Sequence, residues 1–220
     1  MEHELRNFAD AKTLAQSAAA FVAVRARQAV ATKGNFTFAV SGGRTPWAMF
    51  AELVSCHMPW AHTVIYQVDE RVAPEGDPSR NLTNLMAAIA NAQTPPLIMS
   101  MPVNAEDLDT GAKEYGAMLP ARFDMVHLGL GPDGHTASLV PDDPVLDVTD
   151  RMIAITEPYQ GHQRLTMTYP ALARADQILW LVTGEDKRQP LKLLLEGDTS
   201  IPAGRVEAAR SLIMADEAAL

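Results

Sequence analysis

Phe36-Thr-Phe-Ala-Val40-Ser41-Gly42-Gly43-Arg44-Thr45-Pro46 is the stretch from which the fold is read. Its first five residues form a short apolar and β-branched run, as expected of a buried strand. Two glycines then turn the chain. Pro46 suits the first position of a helix, which leaves Thr45 as the expected cap. Strand, glycine turn and helix start together form a cup for an anion, because backbone N–H groups can approach closely and the helix terminus adds partial positive charge. The pattern is neither G-x-x-x-x-G-K-[ST] nor G-x-G-x-x-G, so neither ATP nor NAD is implied. The same turn would also serve a plain strand–helix connection. As a cup, its members are Ser41, Gly42, Gly43, Arg44 and Thr45.

Outward from this unit the alternation repeats. Upstream, Leu14, Ala18, Phe21 and Val22 make a helical stripe behind a capping Asp10, and Gly34-Asn35 ends it. Downstream, helices near 46–54, 82–90 and 106–119 precede apolar strands at 64–68, 97–101 and 125–129. Further strands are expected at 152–156, 164–168, 178–182 and 212–214, with a helix near 187–195. Strands that are apolar along most of their length and alternate with helices predict a mainly parallel sheet with helices on both faces. Strands 152–156 and 164–168 leave no room for a crossover helix, so they predict a local antiparallel hairpin. No Gly-, Pro- or Ser-rich linker interrupts the chain, and one domain over 1–220 is expected.

Composition narrows the function. The 220 residues carry a formal net charge of −9, which argues against a nucleic acid or an anionic membrane as partner. Apolar residues at 47% and charged residues at 20% are ordinary for a folded protein. Cys56 is the only cysteine, which excludes an intrachain disulfide and a cysteine-based zinc site. The amino terminus, with Glu2, Glu4 and Asp10, does not read as a signal peptide, and no run is long enough to span a bilayer, so the cytoplasm is the expected location. An anionic substrate in such an acidic chain needs a site that gathers its own cations.

In open α/β sheets ligands bind beyond the carboxyl ends of the strands, and the polar loops there are rich. Asp69-Glu70-Arg71 follows the strand at 64–68, and its members suit either the orientation of hydroxyls or a surface ion pair. Gly129-Leu-Gly-Pro-Asp133-Gly134-His135-Thr136 follows the strand at 125–129. Pro-Asp-Gly is a turn signal in its own right. Beyond that turn stands His135, two residues from an acid, and imidazole is suited to taking a proton from water near neutrality. Asp133 is the candidate to hold the ring, by the logic of hydrolytic triads. Arg164 opens a strand and Lys187 sits at a strand-to-helix junction; together they would supply cations for a phosphate.

In this order, the segments resemble the 6-phosphogluconolactonase family and, more broadly, the group that includes glucosamine-6-phosphate isomerase/deaminase. The matching residues are Ser41–Pro46, Asp69–Arg71, Gly129–Ser138, Arg164–Thr166 and Gly184–Lys187, with Pro202–Arg205 and Asp216–Ala219 near the end. The resemblance implies a three-layer, Rossmann-like α/β fold. It implies a phosphate held by Ser41–Thr45, Lys187 and Arg164, a general base at His135 partnered by Asp133, and Asp69 and Arg71 facing the sugar acid. The implied reaction is hydrolysis of a phosphorylated sugar lactone, 6-phospho-D-glucono-1,5-lactone, in the pentose phosphate pathway, with no metal and no organic cofactor. The expected partner is this small molecule alone, on a monomer or weak homodimer.

Two departures are visible. Arg80 separates Ser79 from Asn81, where family members often place Ser and Asn side by side, so Asn81 is left out of the expected site. The loop 157–163 lacks paired prolines before Arg164. Two other functions fit parts of the same pattern. An isomerase/deaminase of this group carries a glutamate after the Asp-Gly-His segment, and Ala137-Ser-Leu-Val-Pro141 has no carboxylate. A non-catalytic sugar-phosphate sensor would keep the cup without requiring His135 beside an acid. His3, His57, His62, His127 and His162 lack metal-ligand spacing, and His127, inside a predicted strand, is the one expected to be buried.

Overall fold

The computed structural model describes residues 2–220. In chain order the strands are β1 (His3–Phe8), β2 (Phe36–Val40), β3 (Thr63–Gln67), β4 (Asp69–Arg71), β5 (Leu97–Met99), β6 (Met125–Leu128), β7 (Ile153–Ile155), β8 (Arg164–Met167), β9 (Ile178–Val182) and β10 (Ser211–Asp216). The α-helices are α1 (Ala11–Lys33), α2 (Arg44–Leu53), α3 (Asn81–Ala88), α4 (Leu108–Met118), α5 (Tyr169–Leu172) and α6 (Arg188–Glu196).

Seven strands form one parallel sheet in the order β1-β10-β9-β6-β2-β3-β5. Its central strands are buried on both faces, and alternate residues serve two cores. Phe36, Phe38 and Val40 of β2, with Leu179 and Leu181 of β9, pack against α1, α2 and α3. Ala39, Ile178, Trp180 and Val182 pack on the opposite face with α4, α5 and α6. This is the expected three-layer arrangement, and it explains why these strands read as unbroken apolar runs.

From β2 the chain winds outward through β3 to β5, then returns to the other side of β2 as β6 and winds the opposite way through β9 and β10. The reversal lies between β2 and β6. At that point the loops leaving adjacent parallel strands diverge and open a crevice at their carboxyl ends. The two loops concerned are 41–43 and 129–136.

The expected hairpin is present: β7 and β8 pair antiparallel, with Ile153 opposite Met167 and Ile155 opposite Leu165. The sequence did not reveal its third strand. β4 pairs antiparallel with β8, placing Arg71 opposite Arg164. Val68 joins the two sheets, donating its N–H to the Val40 carbonyl at 2.9 Å and accepting from the Met167 N–H at 2.7 Å. Asp10 caps α1 as expected, through a capping box with Thr13.

One expected cap is corrected. α2 begins at Arg44, and its N-cap is Gly43, at φ 137°, without a side-chain cap bond. Thr45 lies inside the first turn because its hydroxyl bonds that of Thr183 at 2.9 Å rather than the helix amides.

Candidate active site

The Ser41–Thr45 segment forms the floor of the crevice. Ser41 still belongs to the sheet ladder, donating its N–H to the His127 carbonyl at 3.3 Å. Beyond it, no carbonyl among the described residues accepts the N–H of Gly42, Gly43, Arg44 or Thr45. These amides stand at the start of α2, where the helix dipole adds to them. A Cβ on Gly42 would overlap the side-chain amide of Asn81, so only glycine lets the cup close against that residue.

The loop after β6 carries the imidazole. Gly134, at φ 82°, turns the chain, and the Gly131 N–H donates to the His135 carbonyl at 2.8 Å. His135 Nδ1 lies 2.5 Å from Asp133 Oδ1, and the same oxygen accepts the His135 backbone N–H at 3.1 Å. With Nδ1 held by the carboxylate, Nε2 is the nitrogen left for proton transfer. Burial alone would raise the Asp133 carboxyl; the His135 N–H, the charge of the imidazole and its ring bond together hold it below its ordinary value. The His135 side chain keeps 21% exposure, so the ring is not sealed in the core.

A third wall comes from the small sheet. Asp69 accepts the Ser138 hydroxyl at 2.7 Å and the Asn81 amide at 3.3 Å. Arg71 donates from Nη1 to the Ser79 carbonyl and to Asn81 Oδ1, both at 2.7 Å. Arg164, 3% exposed, has Asp69 and Arg71 as charged neighbours; burial and, against the pull of Asp69, the like charge of Arg71 lower its proton affinity. Glu70 points away from the crevice. Fully buried, it accepts the N–H groups of Arg71, Asn81 and Leu82 and the Gln67 amide at 2.7–2.8 Å, capping α3 from outside that helix.

Lys187 closes the fourth side at the N-cap of α6, its Nζ 2.8 Å from Asp186 Oδ2. Asp216, on the neighbouring strand end, accepts the Gly184 and Ala219 N–H groups, both at 3.0 Å, and so fixes the turn that carries Lys187.

Ser41, Gly42, Gly43, Arg44, Thr45, Asp69, Arg71, His135, Arg164 and Lys187 all line one cleft of about 600 Å³. Asp133 is not on its wall but stands behind His135. The expected site omitted Asn81 and Asp216, which line the same cleft. Asn81 is reached because Arg80 turns inward: it is 5% exposed, with Nε 3.5 Å from Glu70, and α3 starts at Asn81 itself. The Asp216–Ala219 resemblance was the available signal for Asp216, but it carried no role.

Fold and site together define a doubly wound α/β protein whose switch-point cleft joins a glycine turn at a helix start to a carboxylate-held imidazole. The chain belongs to the family of glucosamine-6-phosphate isomerases and 6-phosphogluconolactonase, which it matches over residues 9–214. It is 36% identical to a 6-phosphogluconolactonase of Pseudomonas putida over 206 residues, covering 89% of this chain and 84% of that one. It is 41% identical to the GDH/6PGL endoplasmic bifunctional protein of Oryctolagus cuniculus over 177 residues, 73% of this chain but only 22% of that protein's length. Among solved structures, a 6-phosphogluconolactonase from Thermotoga maritima has a TM-score of 0.88 at 22% identity, covering 98% of this chain and all of the other. A monomeric glucosamine-6-phosphate deaminase reaches 0.87 at 18% identity, covering 98% of each chain. The backbone is therefore common to both chemistries, and only the side chains can separate them.

Proposed function

We propose that this protein is a 6-phosphogluconolactonase, a hydrolase that opens 6-phospho-D-glucono-1,5-lactone to 6-phosphogluconate in the pentose phosphate pathway. The observation that carries the reading is His135, held at Nδ1 by Asp133, on the wall of the cleft whose floor is the Ser41–Thr45 cup. Phosphate on the cup and Lys187 would anchor one end of the substrate, with the lactone ring extending toward the imidazole.

In this mechanism His135 Nε2 takes a proton from a water as its oxygen adds to the lactone carbonyl carbon. The resulting oxyanion lies near cationic Arg71 and Arg164, and Asp133 stabilises the imidazolium. When the intermediate collapses, the bond from that carbon to the ring oxygen breaks and the imidazolium returns its proton to the departing oxygen. The new carboxylic acid ionises and releases one proton to solvent. No step calls on a metal or organic cofactor.

The amino-sugar reading needs an additional carboxylate near the ring. The acids on the cleft wall, Asp69, Asp186 and Asp216, are each engaged, by Ser138 and Asn81, by Lys187, and by two backbone amides respectively. Ammonia release from glucosamine 6-phosphate is therefore not expected.

The direct test is His135→Ala. Proton release on the lactone, measured above spontaneous hydrolysis, should fall by roughly 10²–10⁴-fold in kcat with KM little changed. Undiminished turnover would remove the histidine from the mechanism. We further read residues 1–220 as one lactonase domain acting in the cytoplasm as a monomer or weak homodimer. In support, one chain supplies every wall of the cleft, and among the described residues no helix is long and apolar enough to cross a membrane.

A further inference from the structure

The β7–β8 hairpin does more than deliver Arg164. It ends in a two-residue turn, in which the Tyr159 N–H donates to the His162 carbonyl at 3.0 Å and the His162 N–H to the Tyr159 carbonyl at 3.2 Å. Its two central residues, Gln160 (φ 51°) and Gly161 (φ 82°), are both left-handed, the geometry that matches strand twist and locks a tight hairpin. The turn reaches the cleft, where Gln160 is on the wall.

Tyr159 stands at the root of this turn and touches three members of the site. Its hydroxyl donates to Asp133 Oδ2 at 3.3 Å, the carboxylate oxygen that His135 does not use. Its ring lies edge-on to the His135 imidazole, centroids 5.6 Å apart at 68°. Its face receives the Arg164 guanidinium, with Cζ 5.1 Å from the centroid, and its carbonyl accepts from Arg164 Nη2 at 3.3 Å. The loop after β6 and strand β8 are remote in sequence, and this one side chain spans them.

We propose that Tyr159 is a positioning residue for the reaction, holding the Asp133–His135 pair in register with Arg164 and setting how strongly Asp133 pulls on the imidazole. The proposal rests on the lactonase reading. Its chemistry is local. A carboxylate that accepts a hydrogen bond on one oxygen has less charge to offer on the other, and it cannot rotate away from the imidazole. Burial, followed by the charge of Asp133, keeps the phenol proton in place, so the hydroxyl acts as a donor. Of the other charged groups on the cleft wall, Arg44, Asp69, Arg71, Asp186, Lys187 and Asp216 make none of these contacts with Tyr159, and Arg164 keeps both its ring and its carbonyl contact when only the hydroxyl is removed.

Tyr159→Phe removes only the hydroxyl. Without its donor, Asp133 becomes the stronger acceptor and favours the imidazolium. The acid limb of the kcat/KM profile should then move toward higher pH, kcat should fall about threefold to tenfold, and KM should stay within about twofold. Tyr159→Leu, which also removes the ring, should lower kcat further. An NMR titration of the His135 ring C–H, which needs no substrate, should show the same upward shift in Tyr159→Phe. Superimposable titrations of wild type and Tyr159→Phe would overturn the proposal. Wild type that leaves the lactone at its spontaneous rate would instead overturn the lactonase reading, with the NMR titration still deciding the role of Tyr159.

Discussion

His127 shows what a single residue on a central strand costs and why it is tolerated. It lies on β6, wholly buried, with neither ring nitrogen in a hydrogen bond. Burial pushes its pKa down to about 3 against an opposing pull from the Ser41 backbone, which makes no hydrogen bond of acceptable geometry to either ring nitrogen. The imidazole is therefore neutral in the fold but takes a proton in the unfolded chain once the pH falls below about 6.5. Between about 6.5 and 3 the unfolded state binds more protons, so this group removes stability as the pH falls, by about 1.4 kcal/mol per pH unit at most. His127→Leu abolishes that linkage. The difference in urea-unfolding free energy between variant and wild type should tilt toward the variant as the pH is lowered from 7 to 4. A difference that stays constant over this range would mean that the ring finds a proton acceptor within the fold. Burial at 127 was legible in the sequence, because a strand with apolar neighbours on both sides hides its polar member too. The missing partners were not, since they depend on what packs across the sheet.

At the scale of elements, α3 depends on a residue outside itself. Its N-cap, Arg80, makes no side-chain cap bond, and the amides of Asn81 and Leu82 are satisfied by Glu70 instead. Removing that carboxylate leaves several buried donors and the Arg80 guanidinium without their acceptor. Glu70→Ala should therefore lose about 3–5 kcal/mol of stability by urea unfolding, and Glu70→Gln distinctly less. A loss under about 1 kcal/mol for the alanine variant would show that water replaces the carboxylate freely. The central strands and long helices were readable because each carries an apolar run or a helical stripe of its own. β1, β4 and α5 were not. β1 is an edge strand with Glu4 and Arg6 exposed and a single partner, so its charges hide it while protecting the edge. β4 spans only three residues, all of them charged, and it is a strand solely because β8 lies beside it. Tertiary pairing made these elements, and local pattern does not record it.

At the scale of the whole molecule, the cleft exists because the winding reverses between β2 and β6, which makes neighbours of two loops nearly ninety residues apart. The sequence placed Ser41–Thr45 and His135 at strand ends, but their adjacency belongs to strand order. On the proposed lactonase reading, the same assembly would answer how a chain of net charge −9 could hold a phosphate dianion. Bringing Arg44, Arg71, Arg164 and Lys187 to one cleft sets short-range attraction against diffuse repulsion. A cation ~4 Å from the phosphate is worth ~1–4 kcal/mol, depending on the local dielectric response. A surface charge ~15 Å away lies beyond the ~8 Å screening length of physiological salt and contributes less than ~0.1 kcal/mol. On that reading the local cations would decide affinity and the net charge would hardly matter. Lys187→Ala should raise KM about tenfold with kcat nearly unchanged, because on the proposed reading an ammonium–phosphate contact would be present before and during the reaction. Glu207→Lys lies on the exposed approach to β10, at the amino end of the sheet, and replaces a negative charge with a positive one. It should change KM less than about twofold at physiological salt. If the remote substitution lowered KM as much as loss of Lys187 raised it, binding would be governed by the field of the whole protein and the ammonium at 187 would have no special place in it.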